Sequence, residues 1–170
     1  MDLLDEKFRK VKLLSMDFDG IMTDGCVYTD QDGKETVRCS RKDGLGILMM
    51  LKNNIDVVVI SKEANPVVSA RCKKIKAECY QKVEDGDSKL SILKRVANNK
   101  ELTLDEIAYM GDDLNDIAVL KEVGLSITVA DGHSYTKKIC DYVTKAKGGE
   151  HAVREICEKI LIAKNIKLSF

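Results

Sequence analysis

The stretch Val11-Lys12-Leu13-Leu14-Ser15-Met16-Asp17-Phe18-Asp19-Gly20-Ile21 decides how this chain is read. Val11 to Phe18 is a short, largely apolar run of the length of a buried strand. Side chains two apart on a strand point the same way. Asp17 and Asp19 are therefore expected to leave the strand end as a convergent pair of carboxylates, with Gly20 letting the backbone turn sharply afterwards. Neighbouring carboxylates raise one another's pKa unless a cation or a proton sits between them. Such a pair at the exit of a core strand points to a site that uses it.

Outward from this stretch, strand and helix signals alternate. Apolar runs at 55–60, 107–110, 125–129 and 142–143 predict further short buried strands. Segments of helical period lie at 44–53, 66–77, 88–98, 114–123 and 150–163. Asn65-Pro66 reads as a helix start, with Asn as cap and Pro in the first turn. Thr103 to Glu106 reads as a capping box. This alternation implies an α/β fold, a Rossmann-like doubly wound parallel sheet with right-handed crossovers. One segment departs from it. Strand-like pieces around Cys26–Thr29 and Thr36–Cys39 flank an Asp-Gly turn at Asp32-Gly33, which predicts a projecting β-hairpin over about 26–39 in which Cys26 and Cys39 face each other. A hairpin alone is marginally stable, so this one is expected to pack on something, such as another subunit.

Bulk composition narrows the function. The 170 residues suit one domain spanning 1–170, and 28 basic residues balance 28 acidic ones. A zero net charge argues against a nucleic-acid-binding surface, which needs a basic excess, and favours association. Met1 to Lys10 is charged and carries no signal-peptide core, and no apolar run is long enough to span a membrane. The six cysteines show no metal or disulfide spacing and read as free thiols of a cytoplasmic protein.

In open parallel sheets, ligands bind at the carboxyl ends of the strands. Those ends present Asp17 and Asp19 from the first strand, Ser61 from the second, and Gly111-Asp112-Asp113-Leu114-Asn115-Asp116 after the strand at 107–110. Lys89 opens the helix between the last two. Each residue alone reads as a cap, a turn or a solvated charge. Two acidic clusters at parallel strand ends, with a hydroxyl and a lysine between them in order, do not arise as independent caps.

The order resembles the haloacid dehalogenase superfamily of phosphatases over essentially the whole chain. Its first motif is matched by Asp17-Phe18-Asp19-Gly20-Ile21-Met22-Thr23-Asp24-Gly25, its second by Ser61, its third by Lys89 and its fourth by Gly111 to Asp116. The resemblance implies that Asp17 is the nucleophile and Asp19 the general acid and base, with Asp17 close enough to keep a proton on Asp19. It implies Mg²⁺ held by Asp17, the backbone carbonyl of Asp19 and Asp112. Asp113 and Asp116 then support the metal from behind, and Ser61 and Lys89 hold the phosphoryl oxygens.

No segment is long enough for a cap domain, which resembles the capless branch acting on phosphorylated 2-keto-3-deoxy sugar acids. Gly148 to Glu155 looks like that branch's C-terminal signature. Members form tetramers in which a neighbouring subunit covers each site, so a homotetramer is the expected assembly. The resemblance places Thr23, Asp24, Lys42, Glu63 and Lys74 toward the substrate. Lys62-Glu63 stands where the octulosonate 8-phosphate phosphatases are expected to have Gly-Arg. That favours a nonulosonate (sialic-acid-type) 9-phosphate, with 3-deoxy-D-manno-octulosonate 8-phosphate as the alternative. His133 reads equally as structural or functional, Asp43 as a helix cap or a substrate-facing residue, and Arg154 as paired within its own helix. Two readings of other classes compete: a non-catalytic tetramerisation module of a CMP-sialate synthetase, and a phosphorylation-dependent receiver, which would carry its acceptor on a later strand.

Overall fold

Leu13–Met16 forms β1 at the centre of the sheet, pairing in parallel with two neighbours at once, Leu14 opposite Val57 on one side and Ala108 on the other. The computed structural model describes residues 2–82 and 88–169; residues 1, 83–87 and 170 of the single-domain reading lie outside them. The elements in order are α1 (Leu3–Lys10), β1, β2 (Tyr28–Thr29), β3 (Glu35–Thr36), α2 (Arg41–Lys52), β4 (Asp56–Ile60), α3 (Val67–Ile75), β5 (Glu78–Tyr80) and α4 (Lys89–Asn99). They continue with β6 (Ile107–Met110), α5 (Ile117–Leu120), β7 (Leu125–Thr128), α6 (Ser134–Ile139), β8 (Tyr142–Val143) and α7 (Ala152–Ala163). Six strands make one parallel sheet in the order β5-β4-β1-β6-β7-β8, and β2 and β3 form a separate antiparallel pair.

The central strands are buried on both faces because alternate side chains feed two different cores. Leu14, Met16, Val57, Val59, Ala108 and Met110 pack with Phe8, Ile47, Met50, Val68, Ile156 and Ile160, from α1, α2, α3 and α7. Leu13, Val58, Ile60, Ile107 and Tyr109 pack on the opposite face with Ile92, Leu93, Val96, Val119 and Leu120, from α4 and α5. The doubly wound reading holds, and no cap domain interrupts the described residues. Among them, no helix is long and apolar enough to cross a membrane.

Local capping sets most element boundaries. Ser40 starts α2 ahead of the expected helix, because its Oγ accepts from the Lys42 and Asp43 amides at 3.1 and 3.4 Å. Asp43 is thus not the cap. It is buried, and its Oδ1 accepts from the Arg154 amide at 2.8 Å, tying α2 to α7. Asn65 Oδ1 accepts from the Val67 amide at 3.1 Å, which fits the Asn-Pro helix start. Thr103 and Glu106 close the expected capping box at 2.9 Å. The helix expected over 114–123 is instead a 3-10 turn, Leu114–Asp116, followed by the four-residue α5. Asp113 caps that turn, and Asp116 points inward to polar partners. The sequence reading passed over α1 and α6. In α1 the apolar Leu4 and Phe8 lie one helical turn apart among charged residues, α6 has few apolar residues, and the two helices are capped by Asp2 and His133.

The hairpin forms with Tyr28 opposite Thr36, and its Asp30–Lys34 turn is closed by the Asp30 carboxylate. Cys39 pairs with Thr23 rather than facing Cys26, because Thr23 sits at the foot of the hairpin where the strands converge. Arg38 fastens that foot to Asp24 at 3.0 Å and Glu150 at 3.3 Å. The hairpin surface stays open, with Val27 49% and Tyr28 62% exposed.

Candidate active site

β1 ends at Met16, before the acidic pair, so the strand period does not carry Asp17 and Asp19 to the site. The Asp17 amide still bonds to the Met110 carbonyl at 3.0 Å, but from Phe18 the chain curls. The amides of Ile21, Met22 and Thr23 all point at the Phe18 carbonyl. Asp17 is buried at the strand end and Asp19 half-buried in the turn, and both line the same clefts. The carboxylates converge as expected, through the turn rather than through strand alternation. Gly20 has φ +74°, and a side chain there would overlap the Asp112 carboxylate, so the first acidic cluster meets the second only across a glycine.

Asp17 faces the α4 side of the sheet, where Lys89 opens the helix under the Ser88 cap. The Lys89 Nζ donates to Asp17 and, at 2.8 Å, to Asp116 Oδ1. Asp116 Oδ1 also accepts from the Tyr109 hydroxyl at 2.7 Å, and its Oδ2 accepts from the Asp112 amide at 3.2 Å. Asp116 is therefore fully engaged by protein donors, consistent with a supporting role. Tyr109 was missed in the sequence because it reads as one more apolar strand residue. Its completely buried hydroxyl shares the load on Asp116 with Lys89. Tyr109→Phe is expected to lower stability by about 1–3 kcal/mol in urea unfolding and to slow phosphate release several-fold. Removing the donor leaves Asp116 free to draw Lys89 away from Asp17.

The charges do not balance. Asp17, Asp112 and Asp116 each offer an oxygen within 4.8 Å of the others, and Lys89 is the cation that contacts this group. Three carboxylates against one ammonium leave two excess negative charges. Burial, opposed by Lys89 and aided by Asp116, pushes Asp17 up to about 6. Burial, then Asp17 and Asp116, push Asp112 up to about 7. Lys89 stays charged: burial works against its ammonium, but Asp17 and Asp116 outweigh burial and raise it. A divalent cation removes this excess, and the all-oxygen donor set fits a hard ion such as Mg²⁺. Asp17 and Asp112 are its natural side-chain ligands, since both line the larger cleft while Asp116 is wholly buried behind them.

Asp19 is also raised, by burial first and then by Glu63, while a hydrogen bond from Thr23 opposes them. The sequence reading credited Asp17 with keeping the Asp19 proton. The structure assigns that effect to burial and to Glu63, because the turn carries Asp19 away from the strand axis.

Two adjoining clefts of about 480 and 260 Å3 share Asp17, Asp19 and Asn115. The larger reaches Asp112 and Asp113, and the smaller reaches Ser61, Lys62, Glu63 and Lys89. Ser61 is held at the end of β4 by the Tyr80 carbonyl at 2.8 Å, and its Oγ accepts from the Glu63 amide at 3.1 Å. Of the residues expected to face substrate, Glu63 lines the site. Thr23 is buried and its Oγ1 accepts from the Gly20 and Gly25 amides at 3.2 and 3.1 Å, a scaffolding role. Asp24 is occupied by Arg38 and the Cys26 amide. Lys42 is exposed on α2 outside both clefts. Lys74 lines a separate cavity with Arg41 and Arg71, because α3 turns it away from β4's end. Asp113 lines the larger cleft while capping its own turn at 2.7 Å. His133 caps α6, accepting from the Tyr135 amide at 3.1 Å, and Arg154 pairs with Glu158 at 2.6 Å. Asn115 and the tight seat of Gly148 on the Gly20 carbonyl were not foreseen.

Known proteins share this fold. The profile of the haloacid dehalogenase-like hydrolases matches residues 30–156. The 3-deoxy-D-manno-octulosonate 8-phosphate phosphatase of Salmonella typhi is 35% identical over 159 residues, 93% of this chain and 83% of that protein. The crystal structure of the phosphatase of the same name from Yersinia pestis superposes with a TM-score of 0.91 at 34% identity, covering 95% of this chain and 86% of that one. The Moraxella catarrhalis phosphatase of that name, solved with a magnesium ion, a phosphate ion and a KDO molecule, gives a TM-score of 0.91 at 34% identity, covering 97% of this chain and 94% of that one. On fold, site and relatives together, the chain belongs to the haloacid dehalogenase-like hydrolases, among their phosphatases.

Proposed function

We propose that this chain is a Mg²⁺-dependent phosphatase of a 2-keto-3-deoxy sugar acid phosphate, and that 3-deoxy-D-manno-octulosonate 8-phosphate is its substrate. The observation that carries the reading is the gathering of Asp17, Asp19, Ser61 and Lys89 around one cleft, from four separate positions in the sequence. The relatives' names favour the octulosonate over the nonulosonate that Glu63 suggested in the sequence. Glu63 does line the cleft, and that one observation keeps the nonulosonate 9-phosphate as the second reading.

In this reading an Asp17 oxygen attacks phosphorus and forms an aspartyl-phosphate while the P–O bond to the sugar breaks. Asp19 gives its proton to the departing sugar oxygen, then takes one from the water that cleaves the acyl phosphate. Ser61 and Lys89 hold the phosphoryl oxygens as charge builds on them. Mg²⁺, when bound at Asp17, Asp112 and the Asp19 carbonyl, neutralises charge that Lys89 alone leaves unbalanced. Asp116 holds this group from behind, and Asp113 borders it from the larger cleft. The open clefts and the exposed hairpin support a homotetramer in which a neighbour covers each site. The free thiols favour a reducing cytoplasm.

Phosphate release measured side by side with Mg²⁺ is expected to give a kcat/KM on octulosonate 8-phosphate at least about tenfold above that on nonulosonate 9-phosphates. The reverse ranking overturns the octulosonate assignment in favour of the second reading. Equally poor rates on both refute the sugar-acid assignment and leave the phosphatase itself standing.

A further inference from the structure

His151 keeps a costly backbone conformation close to the catalytic turn. It precedes α7 with φ +79°, in the left-handed region that favours glycine. The residue is exposed, so core packing does not hold it there. Residues with side chains persist in that region only where their surroundings over-determine them, and they gather at functional sites.

His151 is held by the cap of α2. Ser40 Oγ accepts from the Lys42 and Asp43 amides at 3.1 and 3.4 Å, which occupies both of its lone pairs. Its hydroxyl proton is left for the His151 ring, whose Nδ1 stands 2.8 Å away. Ser40 therefore donates and Nδ1 accepts, with the ring proton on Nε2. Beyond His151, α7 has its own tie to α2 through the Arg154 amide on buried Asp43.

Before His151, Gly148 and Gly149 lie along the turn that carries Asp19. A side chain at Gly148 would overlap the Gly20 carbonyl, and one at Gly149 would overlap the Thr23 carbonyl carbon and the Asp24 amide. The Gly149 amide donates to the Ile21 carbonyl at 3.0 Å. The Gly148 amide donates to Asp131 Oδ1 at 2.9 Å, so Asp131 anchors one end of this segment and His151 the other. Gly20 follows Asp19 directly, so a shift of the Gly20 carbonyl carries the Asp19 carboxyl with it. A misplacement of this kind slows proton transfer even when the fold is intact.

We propose that His151 is a positioning residue for Asp19: its bond to Ser40 keeps the Gly148-Gly149 segment pressed on the catalytic turn. This role rests on Asp19 as the general acid of the proposed function. His151 itself lines neither cleft.

The test compares the parent with His151→Gly, His151→Asn and Asp19→Asn, each with Mg²⁺. Glycine adopts the left-handed conformation freely but has no ring, whereas Asn tolerates it and offers Oδ1 at the same reach as Nδ1. Melting temperature is measured beside kcat/KM on two phosphates. One is p-nitrophenyl phosphate, whose leaving group departs without a proton. The other is whichever of the two sugar acid phosphates the parent hydrolyses faster, whose leaving hydroxyl needs one. His151→Gly is expected to melt no lower than the parent and to lose about tenfold on the sugar phosphate, but to stay within about twofold on p-nitrophenyl phosphate. His151→Asn is expected to stay within about twofold on both. Equal loss on the two phosphates, no loss on either, a fall in melting temperature for His151→Gly, or an Asn variant as slow as the Gly variant would each overturn the proposal. Asp19→Asn separates the failures. If it shows the leaving-group contrast and His151→Gly does not, the role of His151 alone falls. If it shows none, the general-acid assignment falls and takes the role of His151 with it.

Discussion

Asp17→Asn is expected to yield a folded protein whose phosphate release falls by roughly 10³-fold or more. A carboxamide of the same shape can accept at only one of the two oxygen positions, which take the Phe18 amide and Lys89, and offers no anionic oxygen to attack phosphorus. The variant should also separate activity from stability. Burial, opposed by Lys89 and aided by Asp116, raises Asp17 from 3.8 to about 6 in the folded chain. A raised carboxylate means that the folded state binds its proton more tightly than the unfolded chain does. Stability from this group is then fully present below 3.8 and is lost as pH rises through about 6. Asn carries no such charge. In EDTA at pH 7 the variant is therefore expected to melt above the parent, with the gap closing toward pH 4. Added Mg²⁺ should reverse that order, because only the parent keeps its full ligand set. Thermal melts across pH, with and without Mg²⁺, check this. Substantial remaining turnover would refute the nucleophile assignment, and a lower melting temperature in EDTA at pH 7 would refute the electrostatic account.

Lys89→Met carries the second large effect and runs the opposite way in stability. Lys89 is 2% exposed and contacts both Asp17 and Asp116, so its removal leaves buried carboxylates facing one another without their ammonium. Breaking one side of a buried ion pair costs about 3–5 kcal/mol. The loss should be largest above neutral pH and shrink as pH falls toward about 6, because without Lys89 the Asp17 carboxyl takes up its proton above the value it has in the parent. Mg²⁺ should recover part of the stability, since it supplies positive charge to the same oxygens. It should not recover turnover, expected to fall by roughly 10²- to 10³-fold, because the donor to the phosphoryl oxygens is gone. Urea unfolding at two pH values, with and without Mg²⁺, beside phosphate-release assays tests each part. Full recovery of rate by Mg²⁺ would show that Lys89 acts only as a counter-charge.

Much of the sheet was legible because its central strands are buried on both faces and so appear as short unbroken apolar runs. The strands at 107–110 and 142–143 were read to the residue. The elements that were missed or misread depend on single polar contacts. α2 starts early on the Ser40 hydroxyl, and the expected helix at 114–123 shortens because Asp116 turns inward to Lys89 and Tyr109. The acidic residues, Ser61 and Lys89 were legible because strand ends in a parallel sheet open on one edge, so order along the chain translates into position. Thr23, Asp24, Lys42 and Lys74 do not line these clefts in the single chain, because a helix or loop position does not by itself say which way a side chain faces.

What the sequence by itself determined is the alternation that builds the parallel sheet and the set of residues delivered to its carboxyl edge. Both follow from burial and from chain order. Tertiary structure alone decided how those residues share charge. The curl after β1 seats Asp19 beside Glu63, and Gly20 lets Asp112 approach. The buried Tyr109 hydroxyl and Lys89 hold Asp116, leaving Asp17 and Asp112 for a cation. Proton affinities depend on burial and on distances of a few ångströms between residues far apart in the chain, and sequence order carries neither quantity.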